Sequence, residues 1–148
     1  MAVLKGDKVV YAIRFLDDQS QEQILRVLYQ TTGSRSIEAD EIEVNTKDID
    51  GSDYGAVTET VSFEGLMAKD DPALDQLKAH IKGKKLAEIL EIDVETKKAT
   101  VGKYMISSLE FEYPDDDNAT YKFEGKLVGD TTEETLTEVP EGATSIDQ

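Results

Sequence analysis

The sequence predicts a mainly β fold: an antiparallel β-sandwich or partly closed barrel with one flanking α-helix at about residues 72–82. Three observations carry this. Apolar and polar residues alternate over several short runs, most clearly Val9 to Leu16 and Val57 to Gly65, and that period of two marks a half-buried strand. Polar, turn-forming clusters separate the runs, as at Glu95-Thr96-Lys97-Lys98 and Tyr113-Pro114-Asp115-Asp116-Asp117-Asn118. One stretch alone has a clear helical stripe. Six or seven strands with a single short helix favour an antiparallel architecture.

Each element has its own justification. In the first strand Val9, Tyr11, Ile13 and Phe15 share one face and Arg14 lies on the other. A polar turn at residues 17–23 follows. Ile24 to Gln30 fits two readings. Ser20 and Gln23 have capping-box spacing ahead of a helix, whereas Leu25, Val27 and Tyr29 alternate and run into the β-favourable Thr31-Thr32; the alternation favours a strand. In Ser36 to Val44 the apolar residues are Ile37, Ala39, Ile42 and Val44. Their spacing slips at Asp40-Glu41, which predicts a bulge or bend. Thr46 to Gly55 holds Asp48, Asp50, Gly51, Ser52, Asp53 and Gly55 and reads as a long polar turn. The helix has Asp71 as cap, Pro72 in its first turn, the stripe Leu74, Leu77 and Ile81, and Gly83 as its stop. Strands are expected again at residues 86–94, 99–113 and 120–128.

The chain has 148 residues, a length that favours one domain and is enough to bury a core without disulfides or a structural metal. Met1 to Asp7 contains no apolar signal-peptide core, and no stretch approaches the ~18 apolar residues of a membrane span. The absence of cysteine excludes thiol catalysis, disulfides and thiolate metal sites. Net charge is −16, which opposes tight binding to nucleic acid or to an anionic membrane. Residues 130–148 carry six acids (Asp130, Glu133, Glu134, Glu138, Glu141 and Asp147) and no base. Setting those six aside leaves the body, residues 1–129, at −10. With little apolar surface, 130–148 reads as a flexible acidic arm, disordered or ordered on assembly.

Candidate chemistry is sparse. His80 is the one histidine and reads as an ordinary helix residue. Asp48-Ile49-Asp50-Gly51-Ser52-Asp53, with Glu59 eleven residues after Asp48, has the composition of a calcium loop, but its glycine stands at position four rather than six. Asp115 to Asn118 reads as a solvated hairpin tip. Paired carboxylates among 32 acids say nothing about acid–base catalysis. No catalytic, cofactor or metal site is expected.

Several motifs resemble the major tail proteins of long-tailed, non-contractile bacteriophages. They are Met1-Ala2-Val3-Leu4-Lys5-Gly6-Asp7-Lys8-Val9-Val10-Tyr11, Tyr29-Gln30-Thr31, Asn45-Thr46-Lys47-Asp48 with Gly51, Leu90-Glu91-Ile92-Asp93, and Gly102-Lys103-Tyr104 with Tyr113-Pro114-Asp115-Asp116 and Tyr121-Lys122-Phe123-Glu124-Gly125-Lys126. Their order and spacing cover most of residues 1–129. The resemblance implies a structural virion protein, made in the host cytoplasm, whose protomers form hexameric rings stacked into a tail tube. Its partners would be itself, other tail proteins and DNA only in passage, with no cofactor and no membrane anchor. It further implies that the loop Thr46, Lys47, Asp48, Asp50, Gly51, Asp53 and Tyr54, and the terminal arms 1–7 and 130–148, touch neighbouring protomers and rings. A carboxylate-lined bore would repel phosphate and let DNA slide. Two other readings fit an acidic β domain: a stand-alone module binding carbohydrate or a cation, and a DNA-mimic inhibitor.

Overall fold

The computed structural model describes residues 3–16, 19–48 and 50–140. A single 3₁₀ turn at Gly6–Lys8 leads into seven strands and one helix: β1 (Val9–Leu16), β2 (Glu22–Arg26), β3 (Gln30–Asn45), β4 (Asp50–Leu66), α1 (Pro72–Lys82), β5 (Ala87–Asp93), β6 (Lys98–Glu112) and β7 (Thr120–Thr135). The strands form one antiparallel sheet in the order β2-β1-β5-β6-β7-β4-β3. The sheet curls but does not close. Its two edge strands, β2 and β3, are consecutive in the chain.

The region with two readings is a strand followed by a turn. β2 ends at Arg26, and Tyr29 takes a left-handed backbone (φ 53°) before β3 begins. The turn carries the curl. Gln30 Nε2 donates to the carbonyls of Tyr11 and Val27, both at 2.7 Å, and Tyr11 N–H donates to Gln30 Oε1 at 2.9 Å. Gly33 lets β3 approach, because a Cβ there would overlap the Tyr11 ring.

The inner face of the curl holds the larger core, and both faces of β1 are buried rather than one. Tyr11, Ile13, Val61, Phe63, Ile89, Tyr104, Tyr121 and Phe123 fill the interior, and α1 covers it with Ala73, Leu74 and Leu77. Phe63 stacks on Tyr11 and on Phe123, with centroids 5.0 and 4.5 Å apart. The opposite face of β1 and β5 carries a second cluster of Val10, Ala12, Leu90, Ile92, Ala99 and Val101, covered in part by Leu136 and Val139.

The helix matches its expected bounds. Asp71 caps it, accepting from Ala73 N–H at 3.0 Å and from Leu28 N–H at 3.0 Å. Gly83 ends it with an ordinary φ of −82°, and Lys84 is the residue that turns left-handed (φ 56°).

Two expectations are corrected. The stretch 46–55 is not a long loop: β3 and β4 pair through Asn45↔Asp50, Val44↔Gly51, Ile42↔Asp53 and Glu41↔Tyr54, and of the described residues only 46–48 stand outside the ladder at the tip. Cross-strand pairing satisfies this polar backbone despite its Asp and Gly content. Residues 130–135, expected as arm, continue β7. Thr132↔Val101, Glu133↔Thr100, Glu134↔Ala99 and Thr135↔Lys98 are in register, and Leu136 N–H donates to Lys97 O at 2.8 Å. Threonine's β preference and the apolar footing of Leu136 outweigh the charge. Residues 141–148 of that arm, and Met1 and Ala2 of the other, lie outside the described residues.

Candidate assembly surfaces

The longest hairpin outgrows the sheet. β4 pairs with β7 only from Thr60 to Leu66, so residues 38–58 form a ribbon of two strands alone. The expected slip is present, but the extra residue is on β4. Between the pairs Ala39↔Val57 and Glu41↔Tyr54, Asp40 stands against both Gly55 and Ala56. β3 keeps its alternation through this bulge. Ile37 and Ala39 therefore face one side, Ile42 and Val44 the other. The ribbon shows apolar side chains to water on both faces: Tyr54 is 79% exposed, Ile37 64%, Val57 63% and Ile42 54%. Two strands are marginal in water by themselves, and exposed apolar patches of this kind mark interaction surfaces.

The predicted site residues all fall on this ribbon. Thr46, Lys47 and Asp48 are at its tip, where Asp48 N–H donates to Thr46 Oγ1 at 3.2 Å. Asp50, Gly51, Asp53 and Tyr54 lie along β4. The calcium arrangement fails on geometry: Glu59 lies eleven residues from Asp48, most of them extended, a separation of ~30 Å at strand rise. His80 Nδ1 is 2.7 Å from Gln76 O in its own helix.

Where β4 leaves β7, a cleft of about 510 Å³ opens, lined by Ile37, Val57, Glu59, Leu127, Gly129 and Asp130. Gly129 adopts φ +85°, and Gly129, Asp130 and Thr131 together oppose Gly102 alone on β6. This irregularity turns β7 away from β4. Below the cleft a polar network closes the end of the curl remote from the helix. Arg35 Nε meets Glu91 at 3.1 Å, Arg35 Nη1 lies 3.4 Å from Glu59 and donates to Tyr104 Oη at 2.9 Å, and Tyr11 Oη donates to Glu91 at 2.9 Å. Burial pushes the Tyr11 hydroxyl well above its usual range, with the Glu91 charge adding to it. Each group binds another member, so the network ties five strands together. Sequence reasoning missed it; the available signal was an arginine and two glutamates at inward-facing strand positions.

On the opposite face Arg14 gathers Glu88 (2.7 Å), Glu22 (3.3 Å) and Glu134. The last contact fastens the end of β7 across β1 and β5. Its hydrogen bond from Arg14 holds the Glu134 carboxyl below the usual range.

A curled sheet with open edges and a free apolar ribbon belongs to the class of assembly subunits, whose surfaces are completed by other chains. The phage tail tube protein family model matches residues 3–133, and the chain belongs to that family. Its role is structural, in the tube of a virion tail. The fold is similar to three solved assemblies. One is the tail of an empty gene transfer agent particle refined with C6 symmetry (TM-score 0.71, 15% identity, 88% of this chain and 98% of that one). Another is the SPP1 tail tube (0.69, 15%, 90% and 80%). The third is the six-fold symmetrised baseplate of the anti-feeding prophage (0.57, 9%, 93% and 98%). No curated protein matches by sequence. Among the described residues no helix is long and apolar enough to cross a membrane.

Proposed function

We propose that this chain is the repeating subunit of a tail tube, forming six-membered rings that stack into a conduit for DNA, and that it catalyses no reaction. The free ribbon of residues 38–58 carries the reading: its apolar faces need cover that its own protomer does not supply. In this reading the tip, Thr46 to Tyr54, lies against a neighbouring protomer or the next ring, the terminal segments contribute further contacts, and other tail proteins meet the tube at its ends. Six-fold symmetry in the related tail supports the ring size, and a net charge of −16 supports a bore that does not hold phosphate.

Electron microscopy and sedimentation of concentrated protein test it. Like-charged protomers repel across ~30 Å at ~0.01 M ionic strength but across only ~3 Å at ~1 M, so salt should promote tubes. A variant with residues 42–53 replaced by an Asn-Gly turn should stay folded and monomeric. Tubes from that variant would remove the ribbon from assembly, and discrete monomers of the intact protein at every salt and concentration would refute the tube reading.

A further inference from the structure

The chain contains three arginines, and two are clamped by carboxylates: Arg14 by Glu22, Glu88 and Glu134, and Arg35 by Glu59 and Glu91. Of the three, Arg26 alone has no carboxylate partner among the described residues, in a protein with 32 acids and 16 bases. It closes β2 opposite Ala12, on the edge strand of the sheet. It is half-buried, burial lowers its pKa, and Asp7, which shares its cleft, does not come within ion-pair distance. Arg26 lines a cleft of about 460 Å³ together with Gly6, Asp7, Tyr29, Thr31 and Thr32. A desolvated guanidinium without a counter-ion is costly, and a carboxylate brought to it forms a charge-assisted, potentially bidentate pair.

The ribbon has the opposite imbalance. Glu38, Asp40, Glu41, Glu43, Asp48, Asp50 and Asp53 share it with Lys47 alone. These two sets of unmatched charge cannot meet within one protomer. β3 starts at Gln30, on the wall of the Arg26 cleft, and runs away from it. At ~3.3 Å per residue, Glu38 lies ~16 Å along the strand beyond Gly33, the last cleft residue on β3, and the tip ~45 Å.

We propose that the Arg26 cleft is a socket for a ribbon carboxylate of a second copy of this chain. This rests on the assembly reading above and adds where on the neighbour the ribbon lands. The pairing matches charge to charge and covers apolar ribbon residues against a sheet edge.

The absence of cysteine permits a direct test. Full-length Arg26→Cys is mixed with Glu38→Cys, Glu41→Cys, Glu43→Cys or Asp53→Cys protein under mild oxidation. At least one mixture should give disulfide-linked heterodimers in excess of the homodimers formed by either variant alone, and a chain carrying both cysteines should not close on itself. In parallel, Arg26→Gln and Arg26→Glu should keep the wild-type melting temperature but raise the critical concentration for assembly about tenfold or more. A Glu41→Lys, Glu43→Lys ribbon should partly restore assembly with Arg26→Glu. Tubes from intact protein with no heterodimer in any mixture would overturn the socket and leave the tube reading standing. Heterodimers from protein that never forms tubes would uphold the socket and overturn the tube. Arg26→Glu protein that assembles at the wild-type concentration also overturns the socket.

Discussion

Gln30 holds Tyr11 by both backbone groups, its amide oxygen accepting from Tyr11 N–H and its amide nitrogen donating to Tyr11 O. β1 runs on past the end of β2, and there the glutamine side chain stands in for a neighbouring strand. It also donates to Val27 O, which fixes the turn joining the two edges of the sheet. Gln30→Ala should leave a buried N–H without an acceptor and cost about 2–3 kcal/mol. Gln30→Glu should be at least as damaging, because a carboxylate places negative charge beside two carbonyls. Denaturant midpoints at neutral pH check both; a shift under ~0.5 kcal/mol would mean the curl does not depend on this amide.

Asp71 caps the helix and also accepts from Leu28 N–H, with burial raising its pKa against the lowering effect of those backbone bonds. The folded state therefore holds this proton more tightly than the unfolded chain. Its contribution to stability declines as pH rises from the ordinary carboxylate value through the raised one. Asp71→Asn has one acceptor oxygen for two donors. It should lose about 1–2 kcal/mol near neutrality and lose that part of the acid-range slope. Thermal unfolding from pH 3 to 7 measures both.

Glu134 behaves oppositely. Its depressed pKa means that the Arg14 contact stabilises above the ordinary carboxylate value and is lost as pH falls through the depressed one. The group is partly exposed, so Glu134→Gln should cost less than ~1 kcal/mol and the effect should shrink in salt. Arg14→Ala leaves Glu22, Glu88 and Glu134 facing one another and should cost more, about 1–2 kcal/mol. Urea titrations at low and high salt separate the two.

His80→Ala should change neither tube formation nor stability by more than ~0.5 kcal/mol, since the described polar contact of the ring is to its own helix. Loss of assembly in a folded His80→Ala protein, followed by sedimentation, would contradict a purely structural histidine.

Features set by near neighbours were legible in the sequence. Asp71, Pro72 and the Leu74–Leu77–Ile81 stripe are local, and so is the alternation of β1. Features set by distant pairing were not. Asp50, Gly51 and Asp53 have turn chemistry, yet Asn45, Val44 and Ile42 opposite them make them strand. The spacing slip was visible, but only register assigns its extra residue to Gly55-Ala56. The ribbon tip was legible as a candidate contact. Arg26 and Arg35 were not separable, because whether a carboxylate faces an arginine depends on strands far apart in the chain.

The strand order sets a timetable. β2-β1-β5-β6 and β4-β3 share no ladder except through β7, which follows all six other described strands in the chain and enters between β6 and β4 in the interior of the sheet. Until Thr120 and the residues after it leave the ribosome, the nascent chain holds two half-sheets with an open seam and an uncovered aromatic core. Such late, long-range closure is slow and exposes unfinished edges. A chain cut before Thr120 has no strand to join the two half-sheets, so the body that holds the base of the ribbon depends on β7.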